Sequence, residues 1–165
     1  MKKIIRLSFL LSMLLTITLT AQKTSLFLAG RTLKLGMNKD EIRKDLSKYY
    51  EIVNIDATSF AIIDNNTKCV IGEIGYENNI IQSIDKEWTL GNTNYSEVSI
   101  MTVLFNMLNT FEKDYPISKV HITTNEISEP TFTMKSIILT LDKNWSIGVH
   151  ISNNKVQIKE IIEDK

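Results

Sequence analysis

Two hydrophobic periods alternate along this chain. In "LGMNKDEIRKDL", residues 35–46, apolar positions recur at helical spacing through Ile42 and Leu46 to Tyr49 or Tyr50. Lys39, Asp40, Arg43 and Lys44 turn outward, as a solvated helix face requires. Asn38 is a good N-cap, and Glu41 three residues later can return a bond to the cap N–H, which makes a capping box. Met37 and Ile42 suit a hydrophobic staple across that cap. A cap is worth about 1 kcal/mol, enough to fix where a short helix begins. Gly36 breaks the stretch from "RTLKL", which can form a short strand.

The period then changes. "EIVNI", "FAIID", "KCVIGEIGYE" and "IIQSIDKEW" are short, β-branched segments separated by polar turns at Asp64–Thr67 and Glu77–Asn79. Asparagine tolerates the left-handed backbone of tight hairpins, so both turns read as hairpins. After "TLGNT" the order begins again. Asn94 and Glu97 form a second cap and box. Val98, Met101, Leu104, Phe105, Leu108, Phe111 and Tyr115 share a helix face, and Pro116 stops the helix. "KVHITTN", "TMKSIILTL", "WSIGVHI" and "KVQIKEII" follow, with turns at Asp142–Asn144 and Ser152–Asn154. Trp145, Ile147, Val149 and Ile151 point one way, and Ser146, Gly148 and His150 the other. "EISEP", residues 126–130, reads as a loop inserted in the second half.

Helix plus four strands, twice, predicts an α+β fold of two pseudo-repeats, about 37–88 and 94–162, with the helices packed on one side of antiparallel sheet. Together they would make a single mature domain over 22–165.

The start "LGMNKDEIRKDL", followed by hairpins and "GYENNIIQSIDKEW", resembles the Gly-Met-x-x-x-Glu-Ile/Val helix start of the β-lactamase-inhibitor-protein-like superfamily. That superfamily also includes the small outer-membrane assembly lipoproteins. The resemblance implies a helical layer on antiparallel sheets, with function carried by protein–protein contact. The chain lacks two features of these relatives: its single cysteine allows no internal disulfide, and no lipidated cysteine begins its mature part.

Residues 1–21 change the picture by giving an address. Lys2, Lys3 and Arg6 precede an apolar run, Leu7 to Leu19, and Ala21 suits cleavage, so the segment reads as a secretory signal peptide. The run of 13 residues is short of the ~20 that span a bilayer. The expected product is periplasmic or secreted and not a lipoprotein, beginning at Gln22, with no membrane span. Removing Lys2, Lys3 and Arg6 leaves 16 basic against 19 acidic residues, a net of −3. That mild, scattered balance gives no reason to expect nucleic acid or an anionic membrane surface as partner. Cys69, the one cysteine, reads as a buried thiol in a strand.

Candidate chemistry is sparse. No metalloprotease, nucleophile-elbow, phosphate-loop or calcium-loop pattern occurs, so neither an enzyme, a cofactor nor a metal is expected. His121 and His150 would need a third ligand to hold zinc and read as solvent-exposed. Glu126 and Glu129 read as solvated loop charges. Sequons at Asn65, Asn94 and Asn144 coincide with turn or cap asparagines. Trp88 shares a strand face with Ile80 and Ile84, and Trp145 with Ile147, Val149 and Ile151, so both point to the core. The polar side of the second half carries His121, Thr123, Thr140, His150 and Lys159, the surface best placed to meet a partner. The expected function is therefore that of an exported, non-enzymatic module binding an unidentified protein. The alternative is a small-molecule or lipid-binding module with a cavity between helix and sheet.

Overall fold

A computed structural model describes residues 23–89, 102–109, 120–129, 132–152 and 155–164. The signal segment, the second cap at Asn94 and Glu97, and Pro116 lie outside the described residues. Strands β1 (Ser25–Leu28) and β2 (Arg31–Lys34) pair as a hairpin ahead of helix α1 (Lys39–Leu46). The first four sheet strands are β3 (Glu51–Asn54), β4 (Ser59–Ile63), β5 (Val70–Glu77) and β6 (Ile80–Glu87). Residues 102–109 are helical and are called α2. Strands β7 (His121–Glu129), β8 (Phe132–Asp142), β9 (Trp145–Ser152) and β10 (Lys155–Glu163) complete the chain.

The local signals act as their chemistry dictates. Asn38 Oδ1 accepts from the N–H groups of Asp40 at 2.9 Å and Glu41 at 3.2 Å. Glu41 makes no return bond and its side chain is exposed, so the cap forms without the box. Asn78 and Asn79 both take positive φ, 49° and 68°, the pair of left-handed residues that a two-residue hairpin between β5 and β6 needs. One segment differs from its reading: β7 runs on through Glu129, so residues 126–129 are strand and not loop. An edge strand tolerates such charges because one of its sides meets water.

The expected α+β architecture is corrected by the sheet. Of the described residues, 61% are strand and 14% helical, so the protein is mostly β. A single antiparallel sheet of eight strands runs β3-β4-β5-β6-β10-β9-β8-β7. Two four-stranded meanders meet where β6 pairs with β10, from Ser83↔Glu163 to Glu87↔Lys159. Helix counting overstated the helical share because α1 is only eight residues long. The β1–β2 hairpin takes part of the covering layer instead, and its Leu26, Leu28 and Leu33 join the core.

One face of the sheet is therefore buried. Phe60, Ile62, Ile74, Ile84, Ile147, Ile158 and Ile162 are fully enclosed, together with Leu46 of α1 and Met107 of α2. Burying each such side chain contributes about 1.5–3 kcal/mol. A register shift between Gly75 and Tyr76 lets Ile81 and Ile84, three residues apart, both reach the core. Gly72 sits where the hairpin presses on the sheet: a Cβ there would lie 2.5 Å from the Asp85 carbonyl oxygen and 2.5 Å from Leu28 Cδ2. In α2 the predicted face is rotated, since Met107 is enclosed with Val103, Leu104 and Leu108 beside it while Phe105 is 65% exposed.

Candidate functional site

The antiparallel register decides which side chains share the other face, the one left uncovered among the described residues. His121 lies opposite Thr140, and Thr140 opposite Ser146. Thr123 lies opposite Ile138, Ile138 opposite Gly148, and Gly148 opposite Lys159. Gln157 lies opposite His150, and Lys159 opposite Glu87. Directly opposed residues point to the same side, so His121, Thr123, Thr140, His150 and Lys159 all belong to one face. It is the face opposite Phe60, Ile147 and Ile162. The two histidines are not brought together, because β8 lies between their strands. Among the described residues no three His, Cys, Asp or Glu side chains gather as metal ligands would.

A groove of about 720 Å³ opens on this face, where the ends of β6, β9 and β10 meet the residues just before β5. It is lined by His150, Ser152, Gln157 and Lys159 from β9 and β10, by Asp85, Glu87 and Thr89, and by Lys68 and Cys69. Of the five predicted residues it unites His150 and Lys159; His121, Thr123 and Thr140 lie outside it. Val70, Val156, Ile161 and Met134 give it apolar walls. Cys69 is half-buried at its edge, outside any strand, with Sγ bonded to the Thr67 carbonyl at 3.3 Å. The reading of this thiol as a buried strand residue is corrected accordingly.

The groove holds a fixed polar frame. Glu87 Oε1 accepts from the Thr89 N–H at 3.1 Å and from the Thr89 hydroxyl, and its Oε2 accepts from Gln157 Nε2 at 2.6 Å. Thr89 Oγ1 accepts in turn from the Ile158 N–H at 3.0 Å, tying the end of β6 to β10. Lys159 Nζ donates to Glu73 Oε1 at 3.0 Å and lies 4.0 Å from Asp85 Oδ2. Burial pushes the Asp85 carboxyl up to about 6; Lys159 opposes this, while the Glu73, Glu163 and Glu87 carboxylates add to it.

His150 is the loose part of the frame. Its ring lies across Gly148, where an added Cβ would come within 2.6 Å of Nε2. Its Nδ1 is buried and meets no hydrogen-bond partner. Burial lowers its pKa from the ordinary 6.5, helped by Lys159 and opposed by Glu87, so the imidazole is neutral at pH 7. The expectation of a solvent-exposed histidine is therefore corrected for His150, which is half-buried, and holds for the exposed His121. A neutral imidazole can offer a bound molecule one donor and one acceptor. His150 shares the groove with Asp85 and Glu87, yet no hydrogen bond joins it to either carboxylate, so the linked base of a triad is not assembled.

The tryptophans serve the covered face. Trp145 Nε1 donates to Glu160 Oε1 and Trp88 Nε1 to Glu160 Oε2, each at 3.1 Å. Sequence reasoning missed Asp85, Glu87, Thr89 and Gln157. The signal was there: in "SIDKEW", Asp85 and Glu87 sit two apart and alternate with the buried Ile84. Compared with known protein families, curated proteins and solved structures, the chain matches none.

Proposed function

We propose that this is an exported binding protein that engages a partner protein through the uncovered face of its sheet. The observation that carries the reading is the groove beside His150 and Lys159, on the same face as His121, Thr123 and Thr140. Such a face has a rigid sheet behind it and carries polar groups beside the groove's apolar walls, held ready for contact. The resemblance at Gly36–Leu46 points the same way, toward protein–protein contact. The leader read in residues 1–21 supports placing that contact in the cell envelope or outside the cell.

The test is co-purification from native envelope fractions with arginine placed at either end of the uncovered face. Thr140→Arg and Ser152→Arg should each abolish recovery of the partner, whereas Thr32→Arg on the covering hairpin should not. Equal recovery with all three variants would remove the reading.

A small-molecule ligand is the second reading, and the groove's size favours it. Its volume falls within the range of roughly 300–1,000 Å³ that holds small ligands. It lies on the uncovered face, not between helix and sheet as the sequence suggested. A ligand bound there would shift the His150 ring signals in an NMR titration; a ligand that leaves them unmoved would exclude this groove.

A further inference from the structure

The sheet has two edges, and they differ. β3 is four residues long and ends one side. β7 ends the other with nine, paired to β8 without a register shift and, among the described residues, to no other strand. Every side chain from His121 to Ser128 is exposed, including Ile122 at 66% and Ile127 at 41%. Sheets ordinarily blunt such an edge with a short strand, charged side chains (lysine above all), a proline or a bulge, and β7 has only the charges of Glu126 and Glu129. "HITTNEISE" carries neither lysine nor proline.

From the composition of this edge we infer that β7 pairs with β7 of a second copy of the chain, antiparallel, about a two-fold axis at Asn125. The sequence of the strand is complementary to itself. For both copies to keep their uncovered faces on one side, opposed residues must have the same parity, because a one-residue slip turns a strand over. Only one such register pairs all nine positions. It sets His121 opposite Glu129, Ile122 opposite Ser128, Thr123 opposite Ile127, Thr124 opposite Glu126, and Asn125 opposite itself. No like charges are opposed, and the central asparagines can exchange hydrogen bonds, since each amide both donates and accepts. Sliding by one allowed step in one direction puts Glu126 against Glu126, which like-charge repulsion disfavours. Sliding the other way leaves two positions unpaired. The dimer joins two eight-stranded sheets into one and makes a single surface of both uncovered faces.

Cysteine cross-linking tests the register directly. In a Cys69→Ser background, Asn125→Cys places two thiols across the axis, within the ~7 Å between Cα atoms that a disulfide can span. Thr123→Cys places them about four residues apart along the strands, roughly 13 Å, too far to bridge. Oxidation in air with copper-phenanthroline should convert Asn125→Cys to a covalent dimer and leave Thr123→Cys monomeric. Sedimentation of the unsubstituted protein should give twice the chain mass. Thr123→Lys with Ile127→Lys, which opposes lysines at two places, should halve that mass, while each single change leaves it. A single-chain mass at every concentration, cross-linking of both cysteine variants alike, or a dimer that survives the double lysine change would each overturn the inference. So would recovery of the strand bound to a different protein in place of its copy.

Discussion

Lys23 and Glu160 form an ion pair at 2.5 Å inside the protein, with side-chain exposures of 9% and 1%. The lysine ammonium also lies 3.9 Å from the Trp145 ring centroid, and Asn144 Nδ2 donates to the Lys23 carbonyl at 2.6 Å. One carboxylate on β10 thus gathers both tryptophans and the segment ahead of β1. Removing one member of a buried pair strands the other charge and costs about 3–5 kcal/mol. Lys23→Ala should therefore lower urea-unfolding stability by about 3 kcal/mol. Lys23→Met with Glu160→Gln should recover part of the loss, because the buried pair is removed whole, while Lys86, whose charge Glu160 also offsets, keeps the recovery incomplete. A loss below about 1 kcal/mol for Lys23→Ala would mean that the tryptophan donors suffice alone.

Gly72 should be the least replaceable glycine of the sheet. Its added methyl would meet a backbone oxygen of β6 and a core leucine of the hairpin together, and neither can swing aside. Gly72→Ala is expected to cost about 1–3 kcal/mol, at the upper end if the hairpin lifts. Thermal unfolding would measure this; an unchanged midpoint would show that the hairpin does not press on the sheet there.

The raised pKa of Asp85 makes stability depend on pH. Its folded value of about 6 lies above the ordinary 3.8, so the native protein holds the proton more tightly than the unfolded chain does. Its contribution is fully present below about pH 4, falls as pH rises through the window, and is lost above about pH 6. Asp85→Asn removes the titration. Measured against the unsubstituted protein, the variant should gain on the order of 3 kcal/mol between pH 4 and pH 7. Parallel stability curves across that window would contradict the buried carboxyl.

Gly148 should control the His150 ring. Gly148→Ala forces the imidazole off the backbone it now covers, and only the far end of one side chain has to move. The pKa of His150, read from ring protons by NMR, should lie below 6.5 in the native protein and rise in the variant as the ring gains water. No rise would place the ring elsewhere.

Much of the sheet is legible in the chain because its signals are local. Asn38 starts α1, Asn78 and Asn79 turn β5 into β6, and alternation from Trp145 onward marks β9. How the two halves join is not local. Nothing in the letters of Ile84 and Ile162 announces that they face one another, since only the packed sheet brings β6 to β10. Glu160 reads as the polar side of an alternating strand, and its partners Trp88 and Lys23 lie 72 and 137 residues away. The groove hides for the same reason: Glu87 and Gln157 meet only across the β6–β10 seam. The extension of β7 was masked by Glu126, Glu129 and Pro130, whose composition imitates a loop.

Contact through the uncovered face of the sheet is the central proposal. Its most direct test is a photo-cross-linking residue placed at Thr140 on that face and, separately, at Thr32 on the hairpin that covers the other, with irradiation in native envelope fractions. A discrete adduct from position 140 and none from position 32 is the predicted result. Adducts from position 32 alone, or from neither position, would contradict it.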